Sequence, residues 1–78
     1  MAITYSYTVN EKYRQEDHLI TDVTIQFAGD ITNEVTVAIY HFRPETVEEV
    51  EQNIDNRIIT ERDKILAQQK IEQLISQL

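Results

Sequence analysis

Residues 19–27 read LITDVTIQF, and the alternation of their apolar side chains decides the fold. Leu19, Val23, Ile25 and Phe27 share one parity, interrupted by Thr21, while Ile20, Asp22, Thr24 and Gln26 take the other. Period two marks a strand with one face buried. The rhythm continues on both sides. Upstream, Ile3, Tyr5, Tyr7 and Val9 alternate with Thr4, Ser6 and Thr8. Downstream, Ile31, Val35, Val37 and Ile39, with Asn33 among them, alternate with Thr32, Glu34, Thr36, Ala38, Tyr40 and Phe42. Threonine, valine, isoleucine and tyrosine suit a pleated surface. An apolar face backed by a Thr-rich one predicts an antiparallel meander covered on one side only.

The connections follow from the same parity. Asn10–Asp17 reads as a polar loop, and Gly29, the only glycine, marks the second turn. A two-residue Gly29-Asp30 hairpin would set Phe27 opposite Thr32 and Ile25 opposite Glu34, mixing the faces. A one-residue slip reverses every side chain. The expectation is therefore an odd-length loop such as Ala28-Gly29-Asp30, or a bulge at Gly29. With Phe27 opposite Ile31, Ile20 would face Ala38 and His18 would face Tyr40.

Beyond Arg43-Pro44 the period changes. Thr46 with Glu49 forms a capping box, and Glu45, Glu48, Glu49 and Glu51 lie where the helix dipole favours anions. No glycine or proline interrupts Glu45 to Leu78, so one long helix is expected. Thr60 with Asp63 repeats the cap pattern and leaves room for a kink near residue 60. The fold class is thus α+β: a three-stranded antiparallel β-meander with one long C-terminal α-helix packed on one face. Residues 1–78 make a single β-β-β-α domain.

At 100° per residue the helix carries two apolar stripes. Val47, Val50, Ile54, Ile58 and Ile65 form one, expected to cover the sheet. Ala67, Ile71, Leu74, Ile75 and Leu78 form another, rotated by roughly 140°. A helix over residues 45–78 is about 50 Å long, whereas the strands reach only about 30 Å. The overhang, residues 66–78, carries the second stripe. Ala67, Ile71, Leu74 and Leu78 are spaced four, three and four, as in a short coiled-coil seam. Lys64 and Thr60 end that seam upstream, so it spans barely two heptads. The stripe is expected to self-associate or dock on a partner; the alternative is a helical hairpin, bent near residue 60 and folded back on its own domain.

Composition limits the chemistry. A chain of 78 residues holds one core, and without cysteine there is no disulfide. His18 and His41 are too few for a tetrahedral zinc site. Regular secondary structure or oligomerisation remain as routes to stability. The net charge is −7, with a sequence pI near 4.6. Acidic residues are spread along the chain, which disfavours direct nucleic-acid binding. No apolar run approaches the roughly 20 residues that span a bilayer, and no signal-peptide pattern opens the chain, so no membrane role is expected.

No catalytic motif occurs: there is no phosphate-cradling glycine loop, nucleophile elbow or H-E-x-x-H helix. The Glu16-Asp17-His18 run with Asp22 reads as a polar connection rather than a metal site. Glu45, Glu48, Glu49 and Asp55 read as an acidic helix start. His41 falls at inward parity, where a hydrogen-bonded core-edge histidine is expected, and Tyr5 and Tyr7 fit core packing. A non-enzymatic protein with no cofactor is expected. Ile20, Ala38, Tyr40 and Phe42 gather aromatic and apolar groups on the otherwise polar outer face, a candidate partner-binding patch. Its alternative is packing of Tyr40 and Phe42 on the incoming helix or first loop.

The stretches Ile3-Thr4-Tyr5-Ser6-Tyr7-Thr8-Val9 and Thr21-Asp22-Val23-Thr24-Ile25-Gln26-Phe27-Ala28-Gly29-Asp30 resemble a group of small tailed-bacteriophage proteins. There an "ITYxY"-like strand precedes a "TDVVxxVxWxxxG"-like strand, a third strand and a C-terminal helix. The likeness covers the first half of the chain. It departs at Gln26-Phe27, where tryptophan is usual, and in a shorter first loop. The resemblance implies a phage-encoded structural or virion-associated assembly protein, found in the virion or host cytoplasm. The expected partner is a second copy, in a dimer, or another protein. The alternative is a small acidic inhibitor of a host defence protein, of anti-CRISPR or anti-restriction type, which would need clustered carboxylates.

Overall fold

The structure, a computed structural model, describes residues 2–78. Three strands, β1 (Ile3–Gln15), β2 (His18–Gly29) and β3 (Asn33–Phe42), precede one helix, α1 (Val47–Ser76). The sheet is antiparallel in the order β1-β2-β3, so the chain is an α+β meander with one C-terminal helix.

The polar stretch from Asn10 is not a loop. β1 runs on to Gln15 and turns through Glu16-Asp17 into β2, with Gln15 opposite His18. Glu16 adopts a left-handed φ of 54° to close that turn. Polarity hid the strand because of a register shift between Val9 and Glu11. Tyr7 and Val9 face Ile25 and Val23 on the core side, but past Asn10 it is Lys12 that faces Thr21, while Tyr13 faces Ile20 on the outer side. One extra residue exchanges the faces, so no single alternation extends through the strand.

The second connection has odd length, as the parity requires, but is longer than three residues. Phe27 pairs with Asn33, and hence Ile20 pairs with Tyr40 and His18 with Phe42. The expected pairings Phe27–Ile31, Ile20–Ala38 and His18–Tyr40 are therefore off by two residues, which preserves the face. Ile31 leaves the strand yet stays buried, filling the core from the loop. Gly29 has φ +97°, and a Cβ there would collide with the Ala2 carbonyl oxygen; only glycine fits.

The core joins Val23, Ile25, Phe27, Ile31 and Ile39 to Ile54 and Ile58 of the helix. Each fully buried aliphatic side chain contributes about 1.5–3 kcal/mol. Val50 and Ile65 pack at its margin. Val47, expected on this stripe, is 68% exposed: it lines an open cleft with Tyr7, Val9 and Leu19 and does not enter the core. Glu61 occupies the buried stripe between Ile58 and Ile65, ion-paired at 3.3 Å to Arg57.

The helix begins as its cap residues dictate. Thr46 Oγ1 accepts the Glu49 N–H at 3.1 Å, and the Glu49 carboxylate accepts the Glu45 N–H at 3.1 Å. Arg43 reverses the chain with φ 47°; its N–H donates to the Asp17 carbonyl at 2.9 Å and its guanidinium to the Asp17 carboxylate at 3.0 Å. No break occurs at residue 60, where Thr60 Oγ1 donates to the Asn56 carbonyl within a continuous helix. The helix therefore does not fold back. Its 30 residues give a molecule 49 × 22 × 18 Å across, with a radius of gyration of 15.0 Å. A compact chain of this length would have about 11–12 Å.

His41 is the buried polar centre. Asn53 Nδ2 donates to His41 Nδ1 at 3.0 Å, so Nε2 carries the proton and donates to Thr21 Oγ1 at 3.1 Å. Burial lowers the His41 pKa from its ordinary 6.5, opposed by the Glu49 charge. Below pH 6.5 the unfolded chain therefore binds a proton that the folded one resists, and stability declines with falling pH until the folded histidine itself titrates. Urea titrations should show a stability loss between pH 7 and 5 that is diminished in a His41→Gln variant; equal pH slopes in both proteins would contradict it.

Candidate interaction surfaces

The helix lies nearer β3 than β1. Asn53 reaches His41 on β3, whereas toward β1 the only side-chain hydrogen bond among the described residues is a long one, Tyr5 Oη to Asp55 at 3.4 Å. Val23 and Ile25 on β2 are fully buried, yet Tyr5 and Val9 on the same face of β1 are 43% and 40% exposed. A cleft of about 330 Å³ runs there, lined by Tyr7, Val9, Leu19, Thr21, Val50 and Ile54. Burial and the neighbouring Asp55 and Glu51 carboxylates raise the Tyr7 pKa, which keeps the phenol neutral across the physiological range.

The end of the helix is uncovered along its length. Every residue from Leu66 to Leu78 is exposed, including Ala67, Ile71, Leu74, Ile75 and Leu78. Ile65 is the last helical residue packed against the core. Beyond it, Leu66, Gln69 and Gln73 share a cleft with Ala2, Ile3 and Asp30, while Ala67, Ile71, Leu74, Ile75 and Leu78 line no cleft with the sheet. Burying none of their apolar side chains in the domain leaves a stripe in water at a hydrophobic cost.

On the outer face, His18 lies edge-on to Tyr40, with ring centroids 6.2 Å apart, and tilted against Phe42 at 5.2 Å. The Arg43 guanidinium sits 5.0 Å over the Phe42 ring. Tyr40 and Phe42 are 63% and 61% exposed, and Ala38 is exposed. They do not pack on the helix. Ile20 differs: it is fully buried, so it cannot touch a partner. Its cross-strand neighbours Tyr13 and Tyr40 flank it, and the bulge that turns Tyr13 outward supplies half of that cover. Ile20 is thus the floor of the patch, and Tyr13, missed in the sequence because it follows the bulge, is one of its walls.

No three of the described His, Asp or Glu side chains are grouped to hold a metal ion, and no described helix is long and apolar enough to cross a membrane. No protein-family model, curated protein or solved structure matches the chain.

Removing the floor and editing the surface should have separable effects. Ile20→Ala should cost about 2–4 kcal/mol of unfolding free energy, whereas Ala38→Ser should stay within about 0.5 kcal/mol. Denaturant titration distinguishes them, and an Ile20→Ala loss as small as that of Ala38→Ser would show that the outer-face cluster is not a packed unit.

Proposed function

We propose that the chain is a non-enzymatic assembly module that associates with its own kind through the end of α1. The observation that carries this reading is the stripe Ala67, Ile71, Leu74, Ile75 and Leu78, exposed on a helix that outruns its domain. An isolated helical segment this short is marginal in water. Pairing would stabilise it and remove the stripe from solvent together.

An antiparallel, tail-to-tail arrangement suits the charges. The last turn carries no basic residue to offset the helix dipole. Side by side and reversed, each helix end lies level with Ala67 of its partner, between the partner's Lys64 and Lys70. Ile71 then meets Leu74, and Ala67 meets Leu78, in a self-complementary seam. The resemblance of the first two strands to tailed-phage proteins favours a virion-associated role for this assembly. The Tyr13, Tyr40 and Phe42 surface, with Arg43 stacked on it, is the candidate site for a second protein.

Sedimentation equilibrium tests the reading. The parent should exceed its 9.2 kDa monomer mass. An Ile71→Asp, Leu74→Asp variant should keep the parent's cooperative unfolding transition, lose helical signal only from its last turns, and fall to half the parent's mass or less. A folded variant with the parent's mass, or a parent that is monomeric at high concentration, would refute the assembly role of the tail.

A further inference from the structure

β1 offers a second and independent self-association site. It is an edge strand, paired with β2 on one side only. Ile3-Thr4-Tyr5-Ser6-Tyr7-Thr8-Val9 is nearly a palindrome about Ser6: Thr4 mirrors Thr8, Tyr5 mirrors Tyr7, and Ile3 mirrors Val9. A twofold interface sets residue i against j and j against i. A palindromic strand pairing antiparallel with itself therefore matches like with like at every position.

The backbone has the right phase. The Ala2 carbonyl accepts the Asp30 N–H at 3.2 Å, so the even-numbered residues turn their polar groups toward β2. The odd ones, Ile3, Tyr5, Tyr7 and Val9, turn theirs to the open edge. With the axis on Ser6, Tyr5 exchanges hydrogen bonds with Tyr7 of the other copy and Ile3 with Val9, while Ser6 meets its own copy as a non-hydrogen-bonded pair. Both copies keep the apolar row on one face and the Thr/Ser row on the other. The register shift after Val9 ends the matching segment where the palindrome ends.

Charge selects the same place. Two copies of a chain with net charge −7 repel, and a shared edge must be free of acid. Residues 2–10 carry no charge, and none of them is a proline or glycine that would blunt an edge. The other edge, β3, fails this test. About its midpoint Val37 it would set Glu34 against Tyr40 and Asn33 against His41, which is buried.

We propose that β1 pairs antiparallel with β1 of a second copy about a twofold axis through Ser6, extending the three-stranded sheet to six strands. Tyr5 and Val9, half-covered in one copy, become central in that sheet. Seven residues a side is well below the 20–30 of a standard interface, so the contact is weak and acts beside the tail stripe.

The chain has no cysteine, which makes register-specific cross-linking clean. Ser6→Cys, Thr4→Cys and Thr8→Cys are each made in the full chain carrying Ile71→Asp and Leu74→Asp, so that the tail cannot supply the encounter. Under mild oxidation Ser6→Cys should accumulate disulfide dimer. Thr4→Cys and Thr8→Cys should each stay monomeric alone, since their Cα atoms lie beyond the roughly 7 Å limit for bridging, but should dimerise when mixed. Equal cross-linking of all three alone, or none in any, would overturn the proposal while leaving the tail reading untouched. As a second readout, Ser6→Glu and Ser6→Lys in the same background should be monomeric separately and associate on mixing; failure to associate on mixing would count against the axis at Ser6.

Discussion

The seating of Ile54 and Ile58 in one apolar cluster with Val23, Ile25, Phe27, Ile31 and Ile39 is the contact on which the rest of the molecule depends. It is one helix turn deep, wholly apolar and closed at its margins by Val50 and Ile65. Everything peripheral follows from how little a single helix can cover. It lies toward β3, so β1 keeps a half-exposed inner row. It is displaced along the sheet, so past Ile65 none of its residues joins the core, although Leu66, Gln69 and Gln73 still share a cleft with Ala2, Ile3 and Asp30. The half-exposed row of β1 and the exposed helix end both follow from where that one helix sits.

The polar groups inside serve the same seat. His41, Thr21 and Asn53 link β3, β2 and α1 by two hydrogen bonds, and no buried described side-chain polar atom lacks a partner. Such a fully satisfied network costs little and fixes the helix azimuth. A rotated helix would leave the imidazole unpaired. Azimuth in turn decides which residues of the overhang point away from the sheet. While it is helical, the stripe from Ala67 to Leu78 is thereby presented in one direction.

Much of this was legible in the residues. Alternation located β2 and β3, the odd loop parity held, and the absence of glycine and proline after Pro44 foretold an unbroken helix with Thr46 at its cap. What was not legible has a common cause. The register shift after Val9 depends on a single unpaired residue among polar neighbours, and with it went the far half of β1, the outward position of Tyr13 and the burial of Ile20. The five-residue separation of Phe27 and Asn33 could not be told from three, since either preserves the faces. Val47 has helical periodicity with the core stripe, but it borders the open cleft by Leu19 instead of the core, which periodicity alone does not reveal.

The central claim, that the helix end is built to be covered by another chain, is tested most directly by amide hydrogen exchange of the intact protein at low and high concentration. A segment of about 12 residues with no tertiary support frays readily. The account predicts that amides from Ala67 to Leu78 exchange quickly in dilute solution and slow progressively as concentration rises, while those of Ile54 and Ile58 do not change. Exchange in the tail that is independent of concentration, whether fast or slow, would contradict it.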